Sequence, residues 1–221
     1  MSEQELRSIA SQLSCPSGEV GLEVGNKMNE LNEFITRKTI EALSAQETES
    51  IVEIGPGNGC LSLPLIDAIG VDGHYCGIEM SDAMAAELNR TLSNTKCNVD
   101  VVYGDCLEVN LETESVDGIL GVNVLYFIED LGLFFSHISD WLKVGGRAVF
   151  GIRSDTALKG IPFTQYGFNI RTTDEIKSFM NEAGFGFVKS FRYDEGMSPF
   201  GDTMIPVDSV IIVGEKIQTH K

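Results

Sequence analysis

Positive charge is scarce in this chain. Its 221 residues hold 16 Lys and Arg against 33 Asp and Glu, a net charge of −17, with a pI near 4.4. So acidic a surface disfavours nucleic acid and anionic membrane as partners, because both need basic side chains. Long apolar runs are missing too. No stretch approaches the ~18–20 residues that a membrane span requires, and the N-terminus lacks a basic-then-apolar leader pattern. A soluble, cytoplasmic chain without membrane insertion is expected. Cysteines are few and odd in number: Cys15, Cys60, Cys76, Cys97 and Cys106, with no C-x-x-C pair. They read as reduced thiols, so neither a disulfide framework nor a bound metal is expected. Histidine is limited to His74, His137 and His220. Each falls away from the segments of interest below and reads as structural or solvated, not as a general base. Internal repeats and low-complexity linkers are absent. With 43% hydrophobic and 22% charged residues, the chain suits one decorated α/β domain.

What is present is one stretch around which the rest can be ordered. Residues 51–54 are an apolar, β-branched run interrupted by Glu53, and they read as a buried strand. Gly55, Gly57 and Gly59 follow at alternate positions, with Pro56 between the first two. Leu61, Leu65, Ile66 and Ile69 then recur at helical spacing. Glycine permits a sharp turn and places no Cβ in the path of a ligand. A helix opening behind such a loop offers free N–H groups. This combination predicts a nucleotide-type cofactor cradle at the end of the first strand of an open α/β sheet. The dinucleotide fingerprint would need glycine where Cys60 stands, and the Gly-Lys-Ser/Thr ending of a phosphate loop is absent.

The remaining elements fall in order around that loop. Before it, Val24, Met28, Leu31, Ile35 and Ala42 sit at helical spacing over residues 21–43, in a segment weakened by Gly21, Gly25, Asn26, Asn29 and Asn32. Residues 74–78 read as a second strand that delivers Glu79 and Met80 to its carboxyl end. Glu79 lies 20 residues beyond Gly59, where a carboxylate can accept two hydrogen bonds from a ribose diol. Residues 98–103 and 116–122 read as the third and fourth strands. The turn Gly104-Asp105-Cys106 follows one, and residues 123–127, with Asn123 and Tyr126, follow the other. Asp130 caps an amphipathic helix that residues 143–146 are expected to end, before a fifth strand at 147–152. Residues 153–171 show no period but carry Arg153, Phe163, Tyr166 and Phe168, and they start where they can overhang the site. A capping box at 172–175 opens another helix. The last two strands are expected at 185–192 and 207–213, with a loop at 193–206 between them.

An acid-preceded triple-glycine loop, an acid after the second strand and a Gly-Asp turn after the third resemble the motifs of the class I S-adenosylmethionine (SAM) dependent methyltransferases. The closest likeness is to the type 11 and ubiquinone-biosynthesis-like group that acts on small molecules. The run from Trp141 to Gly146 resembles the family's L-K-P-G-G, with Val144 in place of proline. The resemblance implies a doubly wound, seven-stranded, mostly parallel sheet with a C-terminal antiparallel hairpin. It also implies that residues 1–45 form a helical lid over a cofactor-binding domain of residues 46–221. SAM is the implied cofactor and S-adenosylhomocysteine (SAH) the product. Glu53, Gly55, Pro56, Gly57 and Gly59 are the implied cradle, Glu79 and Met80 the ribose end, and Gly104, Asp105 and Cys106 the adenine turn. Asn123 is placed beside the sulfonium, with Met28 and Asn32 closing over it.

Tyr126, Tyr166 and Tyr193 lie in segments expected to face the pocket and to position an acceptor. Phe163, Phe168 and Phe200 suggest that this acceptor is a small, partly apolar molecule. Transfer is expected to rely on proximity and in-line orientation. An NAD-type oxidoreductase would share the sheet, the loop and Glu79, though Cys60 and the 104–106 turn speak against it. A SAM-binding protein without transferase activity would share every motif. The acceptor's identity and the choice between monomer and homodimer stay open.

Overall fold

The computed structural model describes residues 1–200 and 203–218. His220 lies outside them, as does the side chain of Phe200. Helices α1 (Glu3–Ser14) and α2 (Gly18–Leu43) come first. The strands β1 (Ser50–Ile54), β2 (His74–Glu79), β3 (Asn98–Tyr103), β4 (Val116–Val122), β5 (Leu142–Ile152), β6 (Phe185–Phe200) and β7 (Thr203–Lys216) then form one sheet. Its order is β3-β2-β1-β4-β5-β7-β6. The first five strands pair in parallel, while β7 runs antiparallel to both neighbours. This is the expected fold class. The chain reverses its direction of travel across the sheet between β1 and β4, and in open α/β sheets ligands bind at such a switch point.

Alternation of apolar side chains sends each strand's residues to two layers. Ile51, Leu120, Val149 and Ile211 face α2, α3 (Leu63–Ile69) and α4 (Asp82–Leu92). Val52, Ile119, Phe150 and Ile212 face α5 (Leu131–Trp141) and α7 (Thr173–Glu182). The aromatic stripe of α5, with Phe134 and Phe135 edge-on to Phe150, is core packing as its spacing implies. The two described histidines are hydrogen-bonded away from the glycine loop: His74 Nε2 lies 2.8 Å from Asp100, and His137 Nε2 lies 2.7 Å from the Val109 carbonyl.

The leading helix departs from expectation. α2 is one continuous helix of 26 residues, and its second half belongs to the core: Ile35, Thr39 and Leu43 are fully buried. The sheet makes room for it with glycine. A Cβ on Gly151 would come within 2.3 Å of Thr39 Oγ1, and one on Gly118 within 3.0 Å of Leu43. Burying Ile35 and Leu43 stabilises this contact by roughly 1.5–3 kcal/mol each. Gly25, read from sequence as a weak point, is also a packing position, since a Cβ there would lie 2.8 Å from Met84 Sδ. Residues 1–45 therefore divide: those that border the cavity at the carboxyl ends of the strands lie between Ser8 and Thr36, and Ile35, Thr39 and Leu43 pack in the core.

Two strand boundaries also differ. β5 begins at Leu142, which pairs with Val116 before the chain bulges and rejoins at Arg147 opposite Gly118. The expected loop at 193–206 is instead a continuation of β6 and β7, paired from Tyr193↔Ser209 out to Phe200↔Thr203, with a bulge between Asp194 and Gly196. The antiparallel ladder satisfies the backbone of that segment, which a loop would have left to water. Between β5 and α7, the aperiodic stretch contains the short helix α6 (Asp155–Lys159) and a 3₁₀ turn, Pro162–Gln165. The second of these packs on α1.

Candidate functional site

Gly55, Gly57 and Gly59 hold φ of +66°, +61° and +77°, a left-handed region that side chains other than Asn and Asp rarely enter. The three do different work. A Cβ on Gly55 would strike Val124 at 2.6 Å, and one on Gly59 would strike Leu88 at 2.4 Å, whereas one on Gly57 would meet nothing within 4 Å. Gly57 thus faces open space, and Gly59 is a packing position that does not line the cavity.

That space is a cavity of about 1100 Å³, beyond the ~300–1,000 Å³ of ordinary small-molecule sites. Glu53, Gly55, Pro56, Gly57, Glu79 and Met80 line it, as do Gly104, Asp105, Cys106, Asn123, Met28 and Asn32. With the exception of Gly59, every residue implied for the cofactor therefore borders one volume. Glu79 is the most engaged of them. Its Oε2 accepts from the Gly57 N–H and its Oε1 from the Ser81 N–H, both at 2.9 Å. Burial raises its carboxyl pKa, and the backbone N–H groups oppose that rise. Each oxygen keeps a further lone pair for a ligand hydroxyl. Glu53 is buried as well, with its carboxyl pKa raised by burial, and it accepts from Tyr75 Oη at 2.8 Å. Asp105 Oδ1 accepts from the Leu107 N–H at 2.9 Å and shapes the turn. Burial pushes the Cys106 thiol up to about 12, so this sulfur is an inert wall atom.

A hydrogen-bonded chain runs through four of the lining residues, Asn32, Asn123, Tyr126 and Arg153. Asn123 sits at φ +57°, and its Nδ2 donates to Asn32 Oδ1 at 3.0 Å. Tyr126 Oη donates to Asn123 Oδ1 at 2.6 Å and accepts from the Arg153 N–H at 2.5 Å. The Arg153 guanidinium then donates to Glu195, to the Asp208 carbonyl, to Ser209 Oγ and to the Leu31 carbonyl. One side chain therefore ties β5 to α2 and to the β6–β7 ribbon. Burial raises the Tyr126 phenol well above its ordinary pKa, which keeps it neutral and makes it a positioning group.

The other two tyrosines do not line the cavity. Tyr166 lies under the Arg7 guanidinium, 4.3 Å from its ring centroid. Tyr193 packs edge-on against Phe34 at 5.9 Å, with Lys38 over its ring. Tyr193 is carried there because β6 continues where a loop was expected, which puts it on a strand face against α2. Phe163 and Phe168 do border the cavity.

Several lining residues were not singled out from the sequence. Ile9 and Leu13 of α1, and Met197, Pro199 and Ile205 of the ribbon, also line the cavity. The three asparagines of α2 were a usable signal, since poor helix formers spaced by three share one face. Asn26 bonds Asn58 in the glycine loop at 3.3 Å, Asn29 lines the cavity, and Asn32 bonds Asn123. Among the described residues no group of three or more His, Cys, Asp or Glu could hold a metal ion, and no helix is long and apolar enough to cross a membrane.

Comparison with known proteins bears on this arrangement. Residues 51–146 match the family model for a methyltransferase domain. An arsenite methyltransferase of Halobacterium salinarum is 23% identical over 162 residues, 70% of this chain and 41% of the relative. The ribosomal RNA small subunit methyltransferase A of Corynebacterium jeikeium is 29% identical over 112 residues, 49% of this chain and 33% of the relative. The chain thus spans less than half the length of these curated relatives. Among solved structures, a chain of the complex between the Haloferax volcanii Trm112 methyltransferase activator and a methyltransferase superposes with a TM-score of 0.73 at 17% identity, covering 88% of this chain and 94% of that one. The geranyl diphosphate C-methyltransferase of Streptomyces coelicolor, solved with Mg²⁺, geranyl diphosphate and SAH, gives a TM-score of 0.64 at 16% identity over 82% of this chain and 76% of that one. The domain match spans β1 to the start of β5, and these solved structures share the fold of the chain, so residues 51–146 are similar to a methyltransferase domain.

Proposed function

We propose that this protein transfers a methyl group from SAM to a small-molecule acceptor held in the same cavity. One observation carries the reading: a single volume is lined by the glycine loop, Glu79 and Asp105 and also by apolar residues of α1, α2 and the ribbon. Its size leaves room for an acceptor beside a nucleoside cofactor. The residues fit SAM. Gly57 opens toward the cavity, the buried Glu79 carboxylate has free lone pairs for a ribose diol, and the 104–106 turn offers Asp105 to an adenine amino group. When bound, SAM supplies an electrophilic methyl carbon on a sulfonium.

The chain's own contribution is orientation and exclusion of water. Residues 18–31 act as a lid over the cofactor, held by Asn26 and the Leu31 carbonyl and hinged next to Asn32, which bonds Asn123. Tyr126 and Arg153 fix the floor on which an acceptor would rest. An RNA acceptor fits less well, because the net charge is −17 and phosphate contacts need cations. Arsenite fits less well too, because the one cysteine lining the cavity is Cys106, whose thiol stays protonated.

Isothermal titration with SAH, followed by radiolabelled methyl transfer from SAM across a panel of small acceptors, tests the proposal. Saturable SAH binding and label in a small product are expected. NAD binding without SAH binding would favour the oxidoreductase instead. SAH binding with no labelled product would favour a binding protein without turnover.

A further inference from the structure

The methyl-transfer reading leaves the acceptor's chemistry open, and the walls of the cavity narrow it. Beyond the glycine loop the lining is apolar, with Leu13, Met28, Phe127, Leu158, Phe163 and Phe168 among its members. Cationic groups are nearly absent. Among the described residues, the cavity is lined by two cationic side chains, Lys27 and Arg153. Arg153 is consumed: its guanidinium is bonded to Glu195, Ser209 Oγ and the carbonyls of Asp208 and Leu31. Lys27 sits at the mouth, 61% exposed and 2.5 Å from Glu30. Acids outnumber both, since Glu30, Glu129 and Glu195 border the cavity as well as Glu53, Glu79 and Asp105.

We infer that the acceptor is a lipophilic molecule that bears no anionic group, either neutral or cationic. This inference rests on the methyl-transfer reading and deepens it. A carboxylate or phosphate brought into the apolar end would lose its hydration and find no free cation there, which is heavily penalised. Left at the mouth instead, it would face Glu30 and Glu129, with Lys27 already paired. The overall charge of −17 repels anions before they arrive. An alcohol or amine on an aliphatic or aromatic body meets none of these costs. Its apolar body gains from burial, and an ammonium is attracted by the surrounding carboxylates.

The test is isothermal titration of the full chain, saturated with SAH, with four probes sharing one tail: 1-octanol, octylamine, octanoate and octyl phosphate. The alcohol and the amine should each bind at least roughly tenfold more tightly than either anion at about 0.15 M ionic strength. If either anion binds within tenfold of the better of the other two, the inference is overturned. It is equally overturned if none of the four saturates while SAH does. Absence of SAH binding in the first step would instead remove the methyl-transfer reading beneath it.

Discussion

Replacing Tyr126 by Phe separates a structural clamp from a catalytic group. The substitution deletes one oxygen and keeps the ring, so the ring contacts to Phe127 and Phe168, with centroids 5.9 and 5.7 Å away, survive. What disappears is the bridge between the Arg153 N–H and Asn123 Oδ1. Both groups are then left without that partner beside a buried ring. An orphaned buried donor or acceptor costs roughly 1–3 kcal/mol. Cavity water can relieve part of this, which gives an expected loss of about 2–4 kcal/mol. For a chain of this size each kcal/mol moves Tm by roughly 2–4 °C, so a fall of about 5–15 °C is expected. Trp141 is the one tryptophan and is buried, so urea unfolding followed by its fluorescence measures the change directly.

The same loss should propagate. Asn123 also holds Asn32 on α2, so the Michaelis constant for an acceptor should rise more than turnover falls. Because burial keeps the Tyr126 phenol protonated, the pH profile of turnover should keep its shape in the variant. A stability change below about 0.5 kcal/mol would refute the clamp. So would an unchanged stability combined with a collapse of turnover, since Tyr126 would then be a catalytic residue.

Four further outcomes follow from the site. Gly57→Val should cost about 1–2 kcal/mol of stability, because Gly57 holds φ +61°, and should abolish SAH binding, because its side chain would project into the cavity; titration of the folded variant showing native affinity would separate the loop from the cofactor. Glu79→Ala should weaken SAH by about ten- to hundred-fold through loss of charge-assisted bonds worth roughly 1.5–3 kcal/mol, and Asp105→Ala should weaken it less; the reverse order in parallel titrations would contradict their roles. The raised Glu79 pKa means that the folded apo protein takes up a proton above the ordinary carboxylate range. The stability linked to it is therefore present at low pH and lost as pH rises through the raised value. SAH affinity should fall as pH drops into that range, and Glu79→Gln should remove the dependence. Hydrogen exchange should divide α2: residues 32–43 protected with or without SAH, residues 18–31 gaining protection only when it binds. Equal protection of both halves in both states would make α2 a fixed helix with no lid.

The sequence by itself determined the parts whose causes are local. A β-branched run followed by alternate glycines dictates a strand, a left-handed loop and a helix within a few residues, and burial alternating with period two or 3.6 sorts the layers. The carboxyl ends of β1, β2, β3 and β4 could therefore be marked with Glu53 to Gly57, Glu79, Asp105 and Asn123, and the structure gathers these around one cavity. Tertiary structure decided what depends on partners far away in the chain. Nothing near Arg153 in sequence says that its guanidinium will meet Leu31, Glu195 and Ser209. Nor does a local signal show that β6 and β7 pair far enough to carry Tyr193 onto α2 and Met197 over the cavity. The division of α2 has the same origin. Its glycines and asparagines look like weakness to a propensity scale, and they become close-packing and hydrogen-bonding positions only once Met84, Asn58 and Asn123 stand opposite them. Propensity is a property of a few neighbouring residues, whereas a contact is a property of two segments that only the folded sheet brings together.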